Sequence, residues 1–147
     1  MVSSYNVEDL LSFIENVDLL ITEGWTILMK QPCVGDNQQK SQEDLIVASM
    51  ELKTEQTYKM HVWMPKSLAV QLCVQFYGDM ELDDEMIIET VGEFLNIVAG
   101  NIQGIVSQNA KLGFPEARYV EEPYQTPSGI VRNYRTPDGF FGFAVGR

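Results

Sequence analysis

The chain has 147 residues, of which 45% are hydrophobic and 10% are aromatic. This length and composition suffice for one domain with one buried core, so a mainly disordered chain is excluded. The formal net charge of −11 argues against binding nucleic acid or an anionic membrane surface through the general field of the protein. We therefore expect residues 1–147 to form a single domain with neither nucleic acid nor membrane as a partner.

Two further features of the sequence concern the cellular compartment. The N-terminal residues lack the basic region and the continuous apolar run of a signal peptide, and no segment approaches the roughly 18 apolar residues of a membrane span. The two cysteines, Cys33 and Cys73, form no CxxC pair. Reduced thiols are the usual state of such isolated cysteines. Together these observations predict a cytoplasmic protein.

The first predicted element is an amphipathic helix. It begins after Asn6, a favourable N-cap residue, and ends at Gly24. Its apolar positions recur at helical spacing, at Val7, Leu10, Leu11, Ile14, Val17 and Ile21. A short strand at 25–29 and a polar loop over 32–44 are predicted to follow.

Two strands are predicted next, at 45–52 and 58–64. The second alternates apolar and polar residues, as a strand with one buried face does, and Pro65 ends it. A second helix is expected to begin with Ser67 as its N-cap and to end at Gly78.

The third predicted helix is longer. It begins at Asp83 or Asp84 and continues to about 109–112, before Gly113 and Pro115. Its apolar stripe consists of Ile88, Val91, Leu95, Val98, Ile102 and Ile105.

The tail after this helix is rich in turn residues. The turn signal at 136–139 separates segments 130–134 and 140–145, which could form the arms of a hairpin. Because strands and helices are partly segregated along the chain, the sequence predicts an α+β fold. We expect a largely antiparallel sheet covered by two longer helices.

The side of the third helix opposite its apolar stripe is polar. Its positions step by three and four residues, at Glu89, Glu93, Asn96, Gly100 and Gln103. Glu93 and Asn96 therefore project side by side from one rigid element. Such a pair on a helix surface is most often only solvated, so it does not by itself establish a function.

The same helix contains three glycines, Gly92, Gly100 and Gly104. Each costs about 0.8–1 kcal/mol relative to alanine inside a helix. Either close packing or access for the backbone of a partner would offset this cost. Gly100, one turn beyond Asn96, would keep the surface low around the Glu/Asn pair.

The segment 92–101, GEFLNIVAGN, resembles the signature helix of the CheC/CheX/FliY group of chemotaxis phosphatases. The pattern of that group is G-E-x-x-N-x-x-x-G, preceded by a strand, a shorter helix ending in glycine and an acidic loop. The same order occurs here, and the resemblance extends from about residue 58 to about residue 130. The motif occurs once, as in the single-site CheX type. The group also has a proline some twenty residues after the asparagine, and here the sequence departs from the pattern, because Pro115 and Pro123 fall short of and beyond that spacing.

The resemblance implies a CheX/CheC-like fold and hydrolysis of the aspartyl phosphate on a phosphorylated CheY-type receiver domain. The catalytic residues would be Asn96, holding a water in line with the phosphorus, and Glu93, pairing with a lysine of the receiver. Glu89, Gly92 and Gly100 would contact the partner. The chain would need no cofactor of its own, because Mg²⁺ would come with the receiver. The group also implies a homodimer formed through sheet edges.

A non-catalytic module of the same fold, binding a receiver or another signalling protein without turnover, is the alternative. An Asn96 exposed beside Glu93 would favour the phosphatase, and a buried Asn96 would weaken it. The single histidine, His61, shares a strand face with Lys59 and Trp63, which favours a surface or packing role. The acidic run 79–85 lacks the pattern of a calcium-binding loop and fits helix capping better.

Overall fold

The computed structural model describes residues 7–36, 44–78, 81–106 and 109–146. Within these ranges the chain forms three helices and seven strands. In chain order they are α1 Val7–Met29, β1 Val34–Gly35, β2 Leu45–Lys53, β3 Thr57–Pro65, α2 Lys66–Tyr77, α3 Asp84–Val106, β4 Lys111–Leu112, β5 Glu116–Val120, β6 Ile130–Thr136 and β7 Gly139–Gly146.

The strands form one antiparallel sheet in the order β1-β6-β7-β3-β2-β4, and β5 pairs with β2 on the same edge as β4. The three helices pack on one face of this sheet and enclose the main core with the inward side chains of β2, β3, β6 and β7. The predicted α+β fold, with an antiparallel sheet covered by two longer helices, is confirmed, since α1 and α3 have 23 residues each.

The prediction of a short strand at 25–29 was wrong, because α1 continues through Gly24 to Met29. Four side chains spaced by four residues face the core along this helix, namely Val17, Ile21, Trp25 and Met29. This spacing extends the helical stripe across the predicted end, so burial outweighs the local tendency of a glycine to end a helix. The proposed N-cap, Asn6, lies outside the described residues.

The boundaries of α2 and α3 agree in part with the prediction. Gly78 ends α2 with a positive φ of 71°, but the helix begins directly after Pro65, so the predicted cap at Ser67 was wrong. The carboxylate of Asp83 accepts a hydrogen bond of 2.8 Å from the backbone N–H of Met86, which confirms Asp83 as the N-cap of α3. The described part of α3 extends to Val106, and residues 109–112 are not helical, so the predicted continuation to residue 112 was wrong.

The C-terminal hairpin is confirmed, with β6 and β7 joined at Thr136 and Gly139. Two short strands and β5 were not predicted. β1 lies in the predicted loop, and β5 lies in the turn-rich tail. Within the described part of the chain, no helix is long and apolar enough to cross a membrane. Cys33 and Cys73 are both buried and free.

The other face of the sheet carries a second, smaller apolar cluster of Leu45, Val47, Trp63 and Ala144. Segment 121–129 crosses this face, and the ring of Tyr124 lies 5.7 Å from that of Trp63. The indole of Trp63 lies directly on Gly142 of β7, where a Cβ atom would overlap the ring. Gly142 therefore provides the space that the indole ring occupies.

Replacing Gly142 with alanine should lower the free energy of unfolding by about 2–3 kcal/mol, because the added methyl group displaces a buried indole. Gly104→Ala is the matched control: a Cβ there meets nothing within 4 Å, so the same change should stabilise α3 by about 0.5–1 kcal/mol. Urea unfolding of both variants measures the two effects. A Gly142→Ala protein as stable as the wild type would refute this account of the Trp63 contact.

Candidate functional site

The polar face predicted for α3 is present in the structure. Glu89, Glu93, Asn96 and Gly100 are all exposed along one side of the helix. Glu93 and Asn96 lie one turn apart, a spacing that places side chains about 5–6 Å from each other at Cβ. Gln103, the fifth predicted member, is partly buried and donates a hydrogen bond to the carbonyl of Ala110, which ties it to the chain before β4.

The helix is anchored directly behind this exposed pair. Phe94 and Leu95, the two residues between Glu93 and Asn96, are 2% and 0% exposed. The ring of Phe94 makes edge-to-face contacts with Trp25 of α1 and Phe141 of β7, with centroid distances of 5.4 Å and 5.5 Å. Both exposed side chains therefore project from a segment that is fixed to the core.

The cluster behind Phe94 extends into a hydrogen-bonded contact between α1 and the sheet. The Asp18 carboxylate accepts a hydrogen bond of 2.6 Å from the hydroxyl of Tyr134 and two bonds from the Arg132 guanidinium, at 2.7 and 3.0 Å. Burial and the hydrogen bond to Asp18 raise the pKa of Tyr134 well above its ordinary value. These contacts fix the position of α1 on the sheet. Phe94 packs against this helix.

A groove of about 630 Å³ runs beside the exposed face, between α3, the C-terminal end of α2 and β5. It is lined by Gln75, Phe76, Tyr77, Glu89, Gly92, Glu93, Pro115 and Ala117. Asn96 is one turn further along α3 and does not line the groove. The structure thus brings Glu89 and Glu93 into one concave surface and leaves Asn96 open beside it.

The glycines of α3 differ in their surroundings. Gly92 is buried, and a Cβ there would lie 3.6 Å from that of Ala117 and 3.7 Å from that of Pro115, so its backbone packs closely against β5 and the residue before it. Gly100 faces open space, as the predicted low surface beside Asn96 requires. Gly92 therefore belongs to the wall of the groove, whereas Gly100 lies on the exposed face.

The structure also distinguishes the two candidate prolines. Pro115 lines the groove together with Glu93, whereas Pro123 is exposed in the segment after β5. Sequence reasoning did not identify Phe76, Tyr77 or Ala117 as neighbours of the site. The helical glycine at position 92 indicated that something packs closely there, but not which residues do so.

Glu93 and Asn96 have no partner among the residues that the structure describes. Among the residues that the structure describes, no lysine or arginine forms an ion pair with Glu89 or Glu93, and the Asn96 amide makes no hydrogen bond. A carboxylate in this state can receive a cation from outside, and a free amide can both donate and accept hydrogen bonds. In the described ranges, no group of three or more His, Cys, Asp or Glu side chains could hold a metal ion.

This fold, with three helices on one face of an open antiparallel sheet, is that of the CheC/CheX/FliY class of proteins. Residues 46–127, more than half of the chain, match the family model described as Chemotaxis phosphatase CheX. The chain therefore belongs to the CheX family.

Solved structures of the same fold agree with this assignment. Chemotaxis protein CheX from Desulfovibrio desulfuricans is 13% identical, with a TM-score of 0.73 over 92% of this chain and 98% of that one. CheX from Vibrio vulnificus is 14% identical, with a TM-score of 0.72 over 91% and 96%. The CheX–CheY–BeF3–Mg²⁺ complex from Borrelia burgdorferi is 15% identical, with a TM-score of 0.70 over 92% and 98%. Among curated protein sequences no match was found.

Proposed function

We propose that this protein is a phosphatase that hydrolyses the aspartyl phosphate of a CheY-type response regulator and so resets a chemotaxis or related two-component signal. The observation that carries the proposal is the exposure of Asn96 beside Glu93 on a helix that is fixed from behind by Phe94. Membership of the CheX family and the existence of a CheX–CheY complex in a protein of the same fold support it.

The role proposed for Asn96 is to place the attacking water. Phosphoryl transfer through a loose transition state requires mainly positioning and charge neutralisation, and little assistance from a base. The Asn96 amide has a carbonyl oxygen that can accept a hydrogen bond from the water and an NH₂ group that can donate one to a phosphoryl oxygen. When the amide holds the water in line with the phosphorus, the two reactants are already aligned, and this lowers the entropic part of the activation barrier.

The role proposed for Glu93 is to hold the docked receiver in one position and orientation. A carboxylate aimed at a phosphoryl group would be repelled, so the partner of Glu93 must be a cation, and we assign that role to the active-site lysine of the receiver. Glu93 is unpaired among the described residues, so no internal ion pair has to break on docking. Glu89 and Gly100 complete the contact surface on the same helix, and the buried Gly92 belongs to it as part of the groove wall.

Two further properties belong to the proposal. The receiver, not this chain, provides the Mg²⁺ that accompanies its phosphorylated aspartate. The protein acts as a cytoplasmic homodimer joined through a sheet edge. The edge of β6 is suited to this because, among the described residues, β1 and the Asp36 N–H bond to it only at 133–135, which leaves 130–132 open. An unprotected strand edge of this kind is a natural site for pairing with a second copy.

The docking role predicts a specific loss of affinity. Glu93→Gln, which keeps the shape and removes the charge, should raise the Kd for a beryllofluoride-activated CheY-type receiver at least tenfold, because one charge-assisted contact is lost. Titration calorimetry measures this change. Glu23→Gln, an exposed residue of α1, is the control and should bind as the wild type does.

An unchanged affinity in Glu93→Gln would contradict the docking role. The proposed activity itself is tested by phosphate release from a phosphorylated receiver with Mg²⁺, with and without the protein. Acceleration supports the phosphatase. Tight binding of the activated receiver without acceleration would instead identify the non-catalytic receiver-binding module of the same fold.

A further inference from the structure

The face of the sheet opposite the helices carries a second cavity, of about 500 Å³, beneath segment 121–129. Among the residues that line it are Ser49, Lys59, His61, Glu116, Arg118 and Tyr124. This volume lies within the range of small-molecule sites in proteins. The cavity is separated from the Glu93 and Asn96 site by the thickness of the sheet, because α3 packs on the other face.

The strand register brings three basic side chains together at this cavity. Ser49 of β2 pairs with His61 of β3 on one side and with Glu116 of β5 on the other. Alternate residues of a strand share a face, so Lys59 lies on the same side as His61, and Arg118 lies on the same side as Glu116. The backbones of β3 and β5 are about 10 Å apart across β2, a distance that long basic side chains can span.

Two carboxylates, Glu51 and Glu116, lie near the permanent cations of this cluster, but among the described residues neither forms an ion pair with them. Within the described ranges, neither Lys59 nor Arg118 takes part in an ion pair. Glu51, directly opposite Lys59, lies instead near Lys53, at 3.8 Å. Glu116 is in the cavity wall but forms no ion pair with either cation in the described part of the chain. Two unpaired cations in one concave surface are notable in a chain with 21 acidic and 10 basic residues.

The environment of His61 is consistent with a site for an anion. Its Nδ1 atom is hidden from solvent and has no hydrogen-bond partner among the described residues. Burial lowers the pKa of His61, and the positive charges of Lys59 and Arg118 lower it further. A bound anion would oppose the second effect.

The cavity also has an aromatic wall. The Tyr124 ring is half-buried and packs against Trp63, with centroids 5.7 Å apart. Burial raises the pKa of Tyr124, and the positive charge of Arg118 partly opposes that change. The guanidinium is therefore close enough to the Tyr124 side chain to act on it electrostatically. A ligand with one anionic end and one flat apolar part would contact both kinds of group.

We propose that this cavity binds the phosphate group of a small molecule, with Lys59 and Arg118 providing the charge and His61 providing a directed hydrogen bond. A tetrahedral phosphate has enough oxygen acceptors to meet three groups that approach from two strands, and guanidinium groups match phosphate geometry well. The source of the phosphate is either the free ion or a nucleoside monophosphate whose base lies against Tyr124.

The test is an NMR titration of the full chain, following backbone amides and the His61 imidazole, with inorganic phosphate, adenosine monophosphate and uncharged adenosine. The first two should give saturable shifts at 59, 61 and 118, and adenosine alone should not. Arg118→Gln should weaken binding at least tenfold, whereas Lys111→Gln, an exposed residue of β4, should leave it unchanged. Lys59→Gln provides a second exposed position for the same test.

Equal affinities for phosphate and for the monophosphate would assign the site to the phosphate group alone. Tighter binding of the monophosphate, with shifts of the Tyr124 ring, would assign it to a nucleotide. The absence of saturable shifts with both ligands, or unchanged binding in both Arg118→Gln and Lys59→Gln, would overturn the proposal. None of these readouts depends on phosphatase activity, so the outcome is independent of the proposed function.

Discussion

Replacing Asn96 with alanine should lower the accelerated rate of receiver dephosphorylation by about 100-fold while leaving affinity for the activated receiver nearly unchanged. The reason is that the amide positions a water only in the reacting complex, and a misplaced reactant costs a factor of this size. Asn96 is exposed and makes no hydrogen bond among the described residues, so its replacement should leave the stability of the fold nearly unchanged. Phosphate release from the phosphorylated receiver, at saturating receiver, is the measurement.

Asn101→Ala is a matched control for this experiment. Asn101 is also exposed on α3, but five residues further on, so it projects from a different side of the helix. The Asn101→Ala protein should accelerate receiver dephosphorylation at the wild-type rate. If Asn96→Ala retained the full rate, or if Asn101→Ala lost as much, the water-positioning role would be refuted.

The elements of this fold that sequence analysis predicted well are those defined by local patterns. The C-terminal hairpin follows from strand-forming residues on both sides of a Pro-Asp turn, and the start of α3 follows from Asp83, whose side chain caps the helix. The apolar stripe of α3 is buried from Val91 to Ile102, whereas Ile88 is partly buried and Ile105 is 43% exposed. Such features depend on residues close together in the chain.

The predictions that failed concern features decided by distant contacts. Trp25 and the residues after it have the composition of a short strand, but packing against Phe94 and Phe141 keeps them helical. β5 is defined by its pairing with β2, which lies about seventy residues earlier in the chain, and no local signal specifies that pairing.

In the candidate site, too, the features set by nearby residues could be predicted and those set by distant contacts could not. The exposed face of α3 could be predicted from helical periodicity, because Glu93 and Asn96 are close in sequence. The groove beside it could not, since its other walls come from the end of α2 and from Pro115 before β5. These segments meet only when β5 joins the sheet, and the close approach at Gly92 is a consequence of that contact.

Phe94→Ala should be the most destabilising of these substitutions, lowering the free energy of unfolding by about 3–5 kcal/mol. The ring is 2% exposed and contacts aromatic rings of α1 and β7 at once, so its removal leaves a cavity where three elements meet. For a chain of this size the melting temperature should fall by roughly 10 °C. Thermal and urea unfolding measure both quantities.

Phe114→Ala is the control, because that ring is 93% exposed and its loss should change stability by less than about 0.5 kcal/mol. The free energy of unfolding of Phe94→Leu should fall between those of Phe94→Ala and Phe114→Ala, because leucine retains much of the buried volume but not the aromatic contacts. Equal stabilities of Phe94→Ala and Phe114→Ala would show that α3 is not anchored through this ring. The inference that the core holds Glu93 and Asn96 in place depends on that anchor, because Phe94 lies between them in the same helical turn.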